Sequence, residues 1–212
     1  MQYKIFNILF PAILGIMYFF MNRQKKSIVK ILAFYFVYVA LFELIGLILD
    51  HQFPAELNVF FYDKIFIPSL YLIEFVIFYK VFKTKHNKQF VLFATIVYLT
   101  TYIIDKFMIT YTKDELSYVS YSMGAIFCIA MSMLYLYSLI NSLGIIHFKS
   151  DIMFWFSIGN LLFQIFTFPF FALLDVWYKY SRIGNFYYYF TLYVIYLQYI
   201  FYTIGLLCLK RK

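Results

Sequence analysis

Charge is what this chain has least of for its size: only 13% of its 212 residues are Asp, Glu, Lys or Arg, about half the share in an ordinary soluble domain. Glycine is also scarce, at seven residues, beside four prolines, three histidines and two cysteines. Each shortage excludes something. Seven dispersed glycines leave no material for a glycine-rich phosphate loop, and no Walker-type sequence or serine-centred nucleophile motif occurs. Cys128 falls near the middle of one apolar stretch and Cys208 near the end of another, depths that argue against a disulfide. His51, His86 and His147 lie in polar joints, with no second histidine at helical spacing. His51, beside Asp50 and near Glu56, is a weak metal candidate at best, and a solvated loop histidine is the plainer account. No cofactor is expected.

What is abundant is apolar and aromatic. Hydrophobic residues make up 65% of the chain and aromatics 25%, with 29 Phe and 23 Tyr. Seven apolar stretches, at about 3–21, 28–50, 61–82, 90–108, 117–141, 151–173 and 186–209, are each close to the length a membrane-crossing helix requires. The runs are continuous rather than alternating, so helix and not lipid-facing barrel strand is the geometry. The predicted fold class is an all-α integral membrane protein, a seven-transmembrane-helix bundle forming a single membrane domain over residues 1–212. The third stretch carries Asp63, Lys64 and Pro68 near its start and is the one most open to a re-entrant path. The first is read as a span rather than a secretory signal, because bulky residues occupy 16–21 where a small-residue cleavage site is needed.

The cations are unevenly shared. One set of joints carries twelve (Arg23, Lys25, Lys26, Lys30, Lys80, Lys83, Lys85, Lys88, Lys149, Lys210, Arg211, Lys212) against one acid, Asp151, while the other carries six against seven acids. Cationic joints resist translocation, so the first set is predicted to be cytoplasmic, with the N-terminus outside and the C-terminus inside. The net charge of +8 reports this asymmetry, which points to anionic lipid at the inner joints and not to nucleic acid. Trp155 near the inner end of the sixth stretch, Trp177, Tyr178 and Tyr180 beyond its outer end, and Tyr187–Tyr189 opening the seventh suit rings anchored in the headgroup region. The bias toward Phe, Tyr, Ile, Lys and Asn suggests an AT-rich genome, and a bacterial cytoplasmic membrane is the expected location.

The informative residues are polar ones inside the stretches. Glu43 lies about seven residues from the outer end of the second, roughly 10 Å deep at 1.5 Å per residue, and Glu74 lies nearer mid-membrane in the third. An isolated carboxylate there costs about 3 kcal/mol or more. No Lys or Arg lies deep in a neighbouring stretch, so each acid should face the bundle interior, with water, a bound cation or hydrogen-bond donors about it. Such partners recur at helical spacing: Ser157, Asn160, Gln164 and Thr167; Thr95, Tyr98, Tyr102 and Asp105; Thr191, Gln198, Tyr202 and Gly205; Ser117, Tyr121, Gly124 and Cys128. Glu43 shares a face with Gly46 and Asp50, and Glu74 with Tyr71, Ile67 and Asp63. Interhelical hydrogen bonding alone accounts for part of this pattern. The functional expectation is an outward-facing cavity with Glu74 as floor and Glu43 on the wall. The candidate ligand- or ion-binding set is Glu43, Glu74, Tyr102, Asn160, Gln164 and Gln198.

Seven helices with these termini resemble, in topology and without any shared motif, seven-helix receptors and the membrane modules of bacterial sensor proteins. Retinal chemistry is excluded because a Schiff base needs a buried lysine and the seventh stretch has none before Lys210. Two functional classes follow. The first is a non-enzymatic sensor or signalling subunit with a separate cytoplasmic protein partner. The second is a proton- or cation-coupled transporter or channel working through Glu74 and Glu43. Against the second, Pro11, Pro54, Pro68 and Pro169 do not match when the first three stretches are laid over the last three. A lipid-modifying enzyme comes third, with Glu43, Asp50 and His51 as its only acid–base group.

Overall fold

The structure, a computed structural model, describes residues 2–21, 27–108, 118–141, 151–172 and 181–210. Trp177, Tyr178 and Tyr180, His147, Gly144, and the charged residues Arg23, Lys25, Lys26, Lys149, Arg211 and Lys212 lie outside them, as do the side chains of Tyr187 and Tyr188. In chain order the helices are α1 (Gln2–Met21), α2 (Ser27–Gln52), α3 (Ala55–Phe61), α4 (Ile67–Val81), α5 (Lys85–Met108), α6 (Tyr118–Asn141), α7 (Ile152–Ala172) and α8 (Ser181–Lys210). A π-helical turn over Tyr62–Phe66 joins α3 to α4. There is no strand among the described residues.

Four stretches are long and apolar enough by themselves to cross a bilayer: Ser27–Gln52, Val119–Asn141, Ile152–Pro169 and Tyr189–Cys208. A shorter apolar helix runs over Ile5–Phe20. The remaining two rods reach the length by other means. α3, the π turn and α4 continue end to end from Ala55 to Val81, about 40 Å at 1.5 Å per residue against a hydrocarbon core of about 30 Å. The third apolar stretch is thus a continuous rod, and Asp63 and Lys64 sit inside its π turn. α5, at 24 residues, is long enough as well. The chain is an all-α membrane bundle, and its outer surface fits that solvent: Phe20, Phe34, Phe93, Ile96 and Tyr193 are all well exposed. Side chains of this kind belong in lipid, because facing water they would forfeit the transfer free energy that holds a soluble core together.

The helices close into a ring. α1 packs on α2 and α8, α8 on α7, α7 on α6, α6 on α5, α5 on α4 and α4 on α2, while α4 also reaches across to α6. Without a hydrophobic force between helices in lipid, close approach of backbones carries association, and glycines mark where it happens. A Cβ on Gly15 would lie 2.8 Å from Val37 Cγ2, and one on Gly159 would lie 3.1 Å from the Gln198 carbonyl oxygen. At Gly124 the intruder is the Tyr71 ring, 2.6 Å away, which is buried between α4 and α6 against Tyr98 and Tyr121. Gly124→Ala is therefore expected to cost about 1–3 kcal/mol, read as an earlier unfolding midpoint when detergent micelles are titrated with SDS. An unchanged midpoint would mean that Tyr71 is not held there.

Proline and caps fix the ends. Pro68 has no N–H to return to the Lys64 carbonyl, and the Tyr102 hydroxyl donates to that oxygen instead at 3.0 Å. Thr84 accepts from Asn87 N–H at the start of α5, and Asp151 accepts from Met153 N–H at 2.9 Å at the start of α7, as N-terminal caps do. Asp151, the single acid among the basic joints, thus has a structural task, reinforced by a Tyr135 hydroxyl at 2.7 Å.

Candidate functional site

α2 and the antiparallel rod formed by the π turn and α4 meet along three side-chain pairs. Tyr35 donates to Glu74 Oε1 at 3.1 Å, Tyr38 bonds Ser69, and Tyr62 donates to Glu43 Oε2 at 3.0 Å. Glu74 is therefore level with Tyr35, eight residues before Glu43 on α2, which separates the two acids by about 12 Å along the bundle. They occupy the two ends of one cavity and do not form a carboxylate pair.

Glu74 is almost wholly buried and is supplied from three helices. Besides the Tyr35 hydroxyl on α2, its Oε2 accepts from the Cys128 thiol on α6 at 2.9 Å and from the Asn160 amide on α7 at 3.2 Å. Asn160 Oδ1 in turn accepts from Gln164 Nε2 at 3.4 Å. A carboxyl this deep needs such a set of donors, since a buried polar group without partners loses its hydration for nothing. The stripe read on α7 is fully inward: Ser157, Asn160, Gln164 and Thr167 are all at most 3% exposed.

Above Glu74 is a cavity of about 200 Å³, room for several waters. Glu43, Glu74, Gln164 and Gln198 line it together with Tyr35, Tyr62, Tyr71, Tyr121 and Tyr199. A second chamber of about 260 Å³ adjoins it and shares Asn7, Glu43, Tyr62, Thr191 and Ile195, adding Gly46 and Asn58. Gly46 is what lets this junction exist, because a Cβ there would lie 2.7 Å from the Tyr62 ring and block its hydroxyl from Glu43.

Below Glu74 the cavity ends. Phe36, Phe78, Phe156 and Tyr202 are buried there at ring separations of 5.1–6.2 Å, with Leu32, Ile77 and Met131 filling the remainder. The Tyr18 hydroxyl donates to the Tyr202 carbonyl at 3.0 Å, and Gln198 Nε2 donates to the Tyr202 hydroxyl at 2.6 Å. The chambers occupy the half of the bundle toward Asp50 and Asn58, and beyond the plug, at the other end, is a separate pocket of about 450 Å³ lined by Lys80, Lys83, Tyr135 and Asp151.

Of the six residues singled out in the sequence, five converge here: Glu43, Glu74, Gln164 and Gln198 line the cavity, and Asn160 holds Glu74 from behind. Tyr102 is elsewhere, on the Lys64 carbonyl, beside a second polar centre. In that centre Lys106 Nζ lies 2.6 Å and Lys64 Nζ 3.1 Å from Asp63 Oδ2, and fully buried Asp105 accepts from Ser120 N–H in the first turn of α6. Sequence reasoning passed over Tyr35, Tyr62, Asn7 and Asn58. Tyr35 was within reach of it, standing two helical steps of four before Glu43 on the same face. Asp50, His51 and Glu56 are exposed, and among the described residues no group of three or more His, Cys, Asp or Glu is placed to hold a metal ion.

No known protein family, no characterised protein and no solved structure matches this chain.

Proposed function

We propose that the protein is a non-enzymatic sensor or signalling subunit whose ligand enters the two chambers from the end of the bundle bearing Asp50 and Asn58. The observation that carries this reading is the dead end: chambers with a few polar groups among apolar walls reach Glu74 and stop against buried aromatic rings. A site open on one side binds without conducting. Ligand occupancy would press on α2, α4, α7 and α8 at once, and a ligand that favours one arrangement of these helices shifts the population toward it. In this reading the lysine-rich joints face the cytoplasm of a bacterium, rest on anionic lipid, and pass the shift to a separate cytoplasmic protein.

Sided thiol labelling tests it. In a Cys128→Ser, Cys208→Ser background reconstituted in one orientation, a cysteine at Leu70 or Gln198 should react with a membrane-impermeant methanethiosulfonate from one side only. A cysteine at Ile77 or Phe78 should react from neither. Reaction at Leu70 or Gln198 from both sides would sink the reading.

The second reading is a proton- or cation-coupled carrier, favoured by the same wholly buried Glu74, since a carboxyl reached from one side is also one half of an alternating-access cycle. It requires flux. Liposomes holding the wild-type chain should stay tight to protons and monovalent cations, and a leak abolished by Glu74→Gln would establish the carrier in place of the sensor.

A further inference from the structure

Resting on the reading of the chambers as a ligand site, we propose that the ligand is a small primary ammonium compound, with its cationic head in the chamber at Glu43 and a compact apolar body in the chamber toward Glu74. The outer chamber offers three side-chain acceptors. Glu43 lines it, and so do Asn7 and Asn58, whose side-chain oxygens are buried and accept no hydrogen bond among the described residues. Pro11 adds to them, because a proline four residues on leaves the Asn7 carbonyl without its helical N–H. Among the described residues no Lys, Arg or His lines either chamber. Buried acceptors without donors are costly, and an –NH3+ group brings three donors and the complementary charge at once.

The head belongs at Glu43 because that carboxylate shares the outer chamber with the Asn7 and Asn58 oxygens, whereas Glu74 is bound by Tyr35, Cys128 and Asn160 at the floor of the inner one. The inner chamber suits the rest of the molecule. Phe66, Ile67, Leu70, Phe163 and the tyrosine rings supply apolar walls, and rings beside a cation add attraction through their faces. A bare metal ion fits less well, since hard cations want six or more oxygens and the walls here are mostly rings. A quaternary ammonium has the charge but no N–H for Asn7 and Asn58.

The test compares three probes on the full chain in lipid nanodiscs: phenethylamine, its N,N,N-trimethyl analogue and 2-phenylethanol, which has the same body without charge. Phenethylamine should raise the unfolding temperature saturably, and the other two should bind at least about tenfold more weakly, the loss expected for missing charge-assisted hydrogen bonds. Glu43→Gln and Asn58→Leu should each weaken phenethylamine while leaving the unliganded unfolding temperature near that of the wild type. Should Glu43→Gln prove poorly folded, Asn58→Leu alone decides, being at the rim. Equal shifts by all three probes, or binding untouched by both substitutions, would overturn the ammonium assignment and leave the ligand site standing. No shift from any probe, together with labelling of Leu70→Cys from both sides, would overturn the site itself.

Discussion

Glu74→Ala should cost about 2–4 kcal/mol of bundle stability, because it strands three donors inside the membrane domain. The Tyr35 hydroxyl, the Cys128 thiol and the Asn160 amide all lose their acceptor together, and of the three only Tyr35 lines the cavity. Single interhelical hydrogen bonds in membranes average only about 0.6 kcal/mol, so the effect is large because it is threefold. Glu74→Gln keeps one acceptor oxygen and should lose about half as much. Cys128→Ser, which preserves a donor, should be nearly neutral, whereas Cys128→Val should not. SDS-titrated unfolding midpoints order the four variants. If Glu74→Ala matches the wild type, the donors are not assembled on the carboxyl.

Lys106→Met is the second large effect expected, about 3 kcal/mol, since it removes the buried partner of a buried carboxylate and leaves Asp63 with the half-solvated Lys64 as its cation. Lys106 and Asp63 are 7% and 5% exposed, whereas the third member of the cluster, Lys64, is 33% exposed and 0.5 Å farther from the carboxylate. Lys64→Met should accordingly stay within about 1 kcal/mol, as half-solvated pairs do. Combining Lys106→Met with Asp63→Asn should recover part of the loss, because the neutral amide no longer needs a counter-charge. Equal losses for the two lysines would mean that burial does not set their weights.

The rods and their inward faces were legible because lipid imposes one rule on both. A membrane helix shows its polar atoms to its neighbours, so Ser157, Asn160, Gln164 and Thr167 at spacings of three and four could only be an interior stripe, and all four are buried. The same rule put Glu43 and Glu74 inside. It could not say which helix answers which acid, since that depends on the closing of the ring. Cys128 was visible on a polar stripe with Tyr121 and Gly124, yet its thiol meets Glu74 only because α4 crosses to α6. Tyr102 shared a stripe with Asp105 and was read with the cavity, but its partner is a carbonyl that Pro68 released on another helix. Of the π turn, the sequence shows only Pro68, which frees the Lys64 carbonyl within it. Nothing in Tyr62–Phe66 demands an extra residue per turn, and the turn is stabilised by what its two ends reach.

That turn has a mechanical meaning. An α-helix advances 100° per residue, so a turn that holds one residue too many stores an angular offset of about that size between the segment before it and the segment after it. Tyr62 and Asp63 are adjacent in it, one bound to Glu43 on α2 and the other to Lys106 on α5. If the turn slipped back into ordinary helix, α3 would swivel about its own axis while α4, pinned by Glu74, stayed still, and both bonds would break together. In such a slip the rod would act as a clutch with two teeth, one on Glu43 and one on Lys106.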